Sequence, residues 1–248
     1  MRKSGNNYLL KQSFQARFCL FLFAILGVSM PQLIAQEALD LGYRTSWQYP
    51  SNTSANGEVT AEKPESKLWV HDGRWWASMW SNTGNAYHIF YLDMATHGWI
   101  DTGVQLDPRN DTKADALLDG DTLYVVSHVW NGSGGNASAG GRGQLFRYVY
   151  DSVNQTWIQN LGGPGNEVEV NSAEGESLVI AKDSQGILWV TYVKNQDVYI
   201  NHTVTSDADW ATPFVLPVGS PANVSDDDVS GMIAFNGCLL YTSPSPRD

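Results

Sequence analysis

Cysteine is nearly absent from this chain. Its 248 residues hold two, Cys19 and Cys238. The first lies in an N-terminal apolar run and the second in an atypical C-terminal tail. The body between them has none, which excludes a disulfide framework. Positive charge is scarce too: 15 Lys and Arg stand against 26 Asp and Glu. Over residues 36–237 the count is 10 against 25, a net charge of −15. So acidic a body repels phosphate backbones and excludes nucleic acid as a partner. Long hydrophobic runs are missing as well. The longest, Phe18 to Val28, has about 11 residues, short of the roughly 20 that a spanning helix needs.

That run nevertheless has a purpose. Arg2, Lys3, Lys11 and Arg17 precede it, and Ala35 supplies a small residue before Gln36. This is the layout of a secretory signal peptide over 1–35, compact and of bacterial type. An uncleaved anchor is the competing reading, and the shortness of the run argues against it. Cys19 opens the run rather than following it, so no lipoprotein cleavage box is present. The expected location is secreted or cell surface, with no membrane attachment after cleavage.

What the chain has in quantity is turn and aromatic residues: 23 Gly, 10 Trp and 11 Tyr. After a lead-in segment, 36–61, the sequence becomes periodic. Three blocks align: 66–107, 112–170 and 176–220, with the start of a fourth at 227–237. Each opens with an apolar strand ending in a turn, "HDG" at 71–73, "LDG" at 118–120 or "KDSQG" at 182–186. A β-branched and aromatic strand follows: "RWWASMW", "TLYVVSHV" or "ILWVTYV". A third strand alternates at period two, and a fourth opens on Trp99, Trp157 or Trp210. Turn glycines 73, 120, 186 and 237 recur at blade-length intervals, with a Gly-rich loop, 131–143, lengthening the second. Four-stranded units of about 40–50 residues are the period of β-propeller blades. A β-sandwich would not repeat its aromatic landmarks in this way. The expectation is all-β: an incomplete propeller over 62–237, with about three blades and the first strand of a fourth.

The tail, "CLLYTSPSPRD" at 238–248, departs from the pattern where a second strand should follow "VSGMIAFNG". Back-translated, it resembles the in-frame reading of a sequencing-library adapter. The expectation is an artefactual tail on an N-terminal fragment whose remaining blades are its natural partners.

The hairpins before the fourth strands carry Asp93 and Trp99, Asp151 and Trp157, Asp207 and Trp210. This resembles the Asp-box (BNR) repeat of secreted sialidase-like propellers, in degenerate form: Asp and Trp persist, but the Ser-x-Asp-x-Gly spacing does not. The resemblance implies a structural role, with Asp capping the hairpin and Trp packing between blades. It also implies an arginine triad, a Tyr/Glu nucleophile pair and an acid/base Asp in catalytic members. No Arg-Ile-Pro segment is present, and of the body's arginines only Arg109 falls just before a first strand. No metal spacing of histidines, Ser-His-Asp arrangement or phosphate loop is visible.

The loops leading into the first strands are polar and converge on one face of a propeller. They bring Glu65, Lys67, Arg109, Asp111, Lys113, Asp115, Glu174 and Glu176 to a common mouth, candidates for a polar ligand. Asp226, Asp227 and Asp228 are candidates for a hard cation such as Ca²⁺, with no other cofactor evident. The expected function is a non-catalytic module that binds glycan or another extracellular ligand, an extracellular protein included. The alternatives are a glycoside hydrolase or polysaccharide lyase with catalytic groups in missing blades, and a structural module of a large surface protein.

Overall fold

The computed structural model describes residues 65–110, 112–131, 135–138, 140–215, 224–225, 228–235 and 238–242. The expected signal peptide and lead-in segment, together with Asp111, Asp226 and Asp227, lie outside the described residues. Among the described residues every regular element is a strand.

The first sheet is an antiparallel meander of β1 (Leu68–His71), β2 (Arg74–Ser81), β3 (Ala86–Asp93) and β4 (Gly98–Asp107). His71 pairs with Arg74 across a two-residue loop, Asp72-Gly73, in which both residues have positive φ, 49° and 69°. That geometry matches the right-handed twist of the flanking strands, and Gly and Asp reach it at low cost.

The second sheet contains β5 (Thr112–Asp119), β6 (Thr122–Val129) and β8 (Gln144–Asp151), with β7 (Gly135–Asn136) in the Gly-rich connection. Its outer position is shared by two segments, β9 (Thr156–Leu161) and β10 (Val168–Glu169), both paired with β8. Gly162 lies between them at φ 79°, so close that a Cβ there would sit 2.3 Å from the Leu145 carbonyl oxygen. A side chain would push the outer edge off β8. A short ribbon pairs β11 (Ala173–Glu174) with β7.

The third sheet is again a meander: β12 (Leu178–Lys182), β13 (Leu188–Lys194), β14 (Asp197–His202) and β15 (Phe214–Val215). Last comes a pair, β16 (Gly231–Phe235) with β17 (Cys238–Thr242). The segment read as an adapter-like tail thus begins in the second-strand position of a fourth unit. Consecutive four-stranded antiparallel meanders stacked face to face are propeller blades.

Blade faces carry the core. Between the first two, Trp69, Trp76, Ile89, Leu106, Leu123, Val125, Phe146, Tyr148, Tyr150 and Trp157 form one buried cluster. Trp76 is fully buried, with its ring edge-on to Tyr91, Tyr150 and Trp157 at 5.8–5.9 Å between centroids. Edge-to-face contacts of this kind add to the burial energy. Between the second and third blades the cluster is smaller-grained, built on Val126, Leu145, Val170, Leu178, Ile180, Leu188 and Val190 with Tyr124 and Tyr192. Alternation along "RWWASMW" places Trp76 toward the second blade, whereas Ala77 and Met79 pack with Phe90 on the opposite face. Trp75 is 48% exposed, at the hairpin end beside Val70.

Candidate functional site at the inner strands

The first strands of successive blades, β1, β5 and β12, run next to one another. Asp115 on β5 ties them together. Its Oδ1 accepts from the Ser66 amide at 2.5 Å and its Oδ2 from the Ile180 amide at 2.9 Å. The sequence placed Asp115 at a ligand mouth, but the fold uses both of its oxygens as a clamp across three blades. Burial pushes its pKa up to about 7, in spite of the two amide hydrogen bonds.

Around this clamp lie buried polar groups without partners. Glu65 Oε1 accepts from the Leu178 amide at 3.3 Å and faces His128 Nε2 at 3.5 Å. Burial works to raise the Glu65 pKa, but the His128 imidazole and the Lys67 charge outweigh it and hold the carboxyl below its usual range. Burial lowers the Lys67 pKa, opposed by Glu65 and Asp115 and assisted by the like charge of Lys113. Glu65 Oε2, Lys67 Nζ and Ser177 Oγ are buried with no hydrogen-bond partner, as are Trp69 Nε1, Trp157 Nε1 and Arg142 Nε elsewhere among the described residues. Native interiors leave few such groups. Sequence reasoning selected Glu65 and Lys67 but missed His128 and Ser177. His128 reads as one more inward residue of an aromatic strand, and Ser177 as loop polarity.

Beside the buried groups is a more open rim. Lys113 pairs with His128 across β5 and β6 and places its ammonium 5.5 Å from the ring centroid of Trp130, which is 45% exposed. Trp130 Nε1 donates to Glu176 Oε2 at 3.3 Å, which fixes the plane of the indole. Glu174 accepts from Asn131 Nδ2 at 2.7 Å. The rim therefore holds an indole face, an ammonium and two carboxylates drawn from β5, the end of β6 and the β11 segment.

Arg109 is not part of this rim's free chemistry. Its five N–H donors are all used within the chain: two on the Asp107 carboxylate, and the others on the carbonyls of Ser127, Gly140 and Arg142. The guanidinium neutralises a fully buried Asp107, which also accepts from Ser127 Oγ at 2.6 Å. The geometry makes Arg109 a strut for the Gly-rich loop rather than a ligand arginine.

The Asp-box-like residues divide. Asp93 caps its hairpin by accepting from the Ala95 amide and Thr96 Oγ1, and Asp151 does so from the Val153 and Asn154 amides. Trp157 packs between blades, whereas Trp99 lies against Ala77, Met79 and Phe90. Asp207 differs: it accepts from Arg147 of the second blade at 2.5 Å, while its own carbonyl receives Trp210 Nε1. It joins blades instead of capping a turn. Asp228 closes a local turn by accepting from the Ser225 amide, and among the described residues no three His, Cys, Asp or Glu side chains gather as a cation site.

One triad-like grouping escaped the sequence. Ser81, His88 and Asp101 come together, but Asp101 is the central member. It accepts from Ser81 Oγ at 2.5 Å and meets His88 Nδ1 at 2.9 Å. The serine hydroxyl points at a carboxylate and not at a base, so this arrangement braces the first blade and does not activate a nucleophile.

No protein family matches the sequence, and no curated relative does either. Among solved structures the chain is similar to a polysaccharide lyase, the PL25 ulvan lyase bound to -[GlcA(1-4)Rha3S]-, at 14% identity and a TM-score of 0.38, over 71% of this chain and 45% of that one. It is also similar to Trypanosoma rangeli sialidase in complex with the inhibitor DANA, at 10% identity and a TM-score of 0.33, over 68% of this chain and 25% of that one. The chain spans less than half the length of either.

Proposed function

We propose that this chain is part of an exported propeller module that binds a glycan at the inner-strand mouth. The observation that carries the reading is Trp130. A large indole face stands open to solvent, held in plane by Glu176 and flanked by Lys113, Glu174 and Asn131. Sugar rings present apolar C–H faces rimmed by hydroxyls, and a fixed aromatic plane among polar groups complements both parts. The acidic body and the expected signal peptide suit a site outside the cell.

A second reading, catalysis on a glycan, draws on His128, Glu65 and Lys67. They bring an imidazole, a carboxylate and a depressed ammonium together at the same mouth, the groups that general acid–base chemistry uses. One experiment addresses both readings. The full chain is titrated against a panel of glycans, and each mixture is assayed for new chain ends. Saturable binding that Trp130→Ala weakens by about tenfold or more, without new ends, is expected. New ends lost in His128→Ala would move the assignment to the enzyme. Absence of binding by any glycan would remove the proposal.

A further inference from the structure

We infer that Arg109 is the positioning residue of the Trp130 platform: a guanidinium whose donors are all used within the chain fixes the segment that carries the indole. The inference rests on the glycan-binding reading and adds to it the residue that sets the pose of the platform.

Trp130 stands just past the ordinary ladders of its blade. The last β5–β6 pair is Thr112 with Val129, and the last β6–β8 pair is Ser127 with Gln144. Beyond them the chain is held by two other segments. On one side the Val129 amide donates to the Gly141 carbonyl at 3.3 Å. On the other, Trp130 bridges to Gly175, and the Asn131 amide donates to the Gly175 carbonyl at 3.0 Å. Arg109 fixes the first of these contacts. Its Nη1 donates to the carbonyls of Gly140 and Arg142, the residues on either side of Gly141, and its Nη2 donates to the carbonyl of Ser127 on β6 itself. The guanidinium is anchored in turn on the fully buried Asp107. One planar group thus sets the spacing between β6 and residues 140–142, and the Val129–Gly141 bond forms within that clamp. The same backbone also reaches the far side of the platform. A Cβ at Gly141 would lie 2.8 Å from Glu174 Oε2, so the loop runs against the carboxylate that holds Asn131. Lysine matches the charge of arginine beside Asp107, but it offers three donors on one nitrogen in place of a rigid fork. An indole fixed before its ligand arrives loses less freedom on binding.

The test separates the charge of Arg109 from its fork. Arg109→Lys keeps a cation beside Asp107 and gives up the simultaneous hold on Gly140, Arg142 and Ser127. The full chain is isotope-labelled, and the indole N–H signal of Trp130 is identified by its loss in Trp130→Phe. Arg109→Lys is expected to shift that signal and to speed its solvent exchange by about tenfold or more. The indole N–H of Trp76, which donates to the His71 carbonyl in the aromatic core, is expected to stay protected. Gly141→Ala, which leaves Asp107 paired, gives the same reading should the lysine variant not fold. Affinity is then titrated with gluco-, manno- and galacto-oligosaccharides and oligogalacturonate. Arg109→Lys is expected to weaken the tightest of these by about fivefold or more, with no further loss in a Trp130→Ala background. A Trp130 signal left in place would overturn the inference, whatever the chain binds. So would a displaced signal with unchanged affinity, or loss of protection at Trp130 and Trp76 together. Binding of none of the probes, with the Trp130 signal displaced, would remove the glycan reading and leave Arg109 as the residue that poses Trp130.

Discussion

The interface between the first two blades and the inner edge of the same blades solve opposite problems. The interface is aromatic and interlocked, with only Trp69 Nε1 and Trp157 Nε1 left without partners among its described residues: Trp76 touches Tyr91, Tyr150 and Trp157, and Tyr150 Oη reaches across to Asp72 at 2.8 Å. The inner edge, a few residues away along the chain, buries Glu65, Lys67, Asp115, His128 and Ser177 and leaves Glu65 Oε2, Lys67 Nζ and Ser177 Oγ without hydrogen bonds. Burial of matched apolar surface stabilises, whereas burial of unmatched polar groups costs. Apolar packing and buried polar groups are thus separated by position along one blade. The aromatic contacts hold the blades together, and the buried polar groups sit in the segments entering β1 and β12 (Glu65, Lys67, Ser177), on β5 (Asp115) and on β6 (His128).

The sharpest break in this comparison is Trp76→Ala. Removing a fully buried indole from the aromatic cluster is expected to cost about 3–5 kcal/mol in denaturant unfolding. A loss below ~1 kcal/mol would show that the cluster is not the main contributor.

Next in size is a pH effect at the inner edge. Asp115 titrates at about 7 in the folded chain against 3.8 when unperturbed, because burial disfavours its charge. The folded state therefore holds the extra proton between these values. The associated stability is fully present below 3.8 and is lost as pH rises through about 7. Unfolding free energy is expected to fall by about 3 kcal/mol between pH 5 and pH 8. Asp115→Asn should flatten that slope, whereas an unchanged slope would assign the titration elsewhere.

The smallest effect serves as a control outside both regions. The β13–β14 hairpin places Asn195 and Gln196 at φ 50° and 65°, the same turn geometry that the first blade gives to Asp72-Gly73. Gln196→Gly is expected to stabilise by about 0.5–1 kcal/mol without altering ligand binding. A loss of stability would mean that the Gln196 side chain contributes more than its backbone strain removes.

Much of the architecture was legible in the residues. Period-two alternation, turn glycines and a recurring Trp specify strands, hairpins and a four-stranded unit, because each depends on neighbours a few positions apart. The capping by Asp93 and Asp151 was legible for the same reason: side chain and amide lie within three residues. Asp207 was misleading because its partner, Arg147, is 60 residues away. Arg109 seemed open to a ligand in one dimension, and the Gly-rich loop that consumes its donors folds back onto it only in three.

By itself, then, the sequence determined the all-β repeat, the hairpin ends and the sign of the surface charge, all matters of local geometry and composition. Tertiary structure alone decided which polar residues meet. Asp115 became a clamp between Ser66 and Ile180, and His128 met Glu65, because stacked blades bring first strands together across 49 to 113 residues of chain. Which buried groups find partners follows from that stacking and not from the strands themselves.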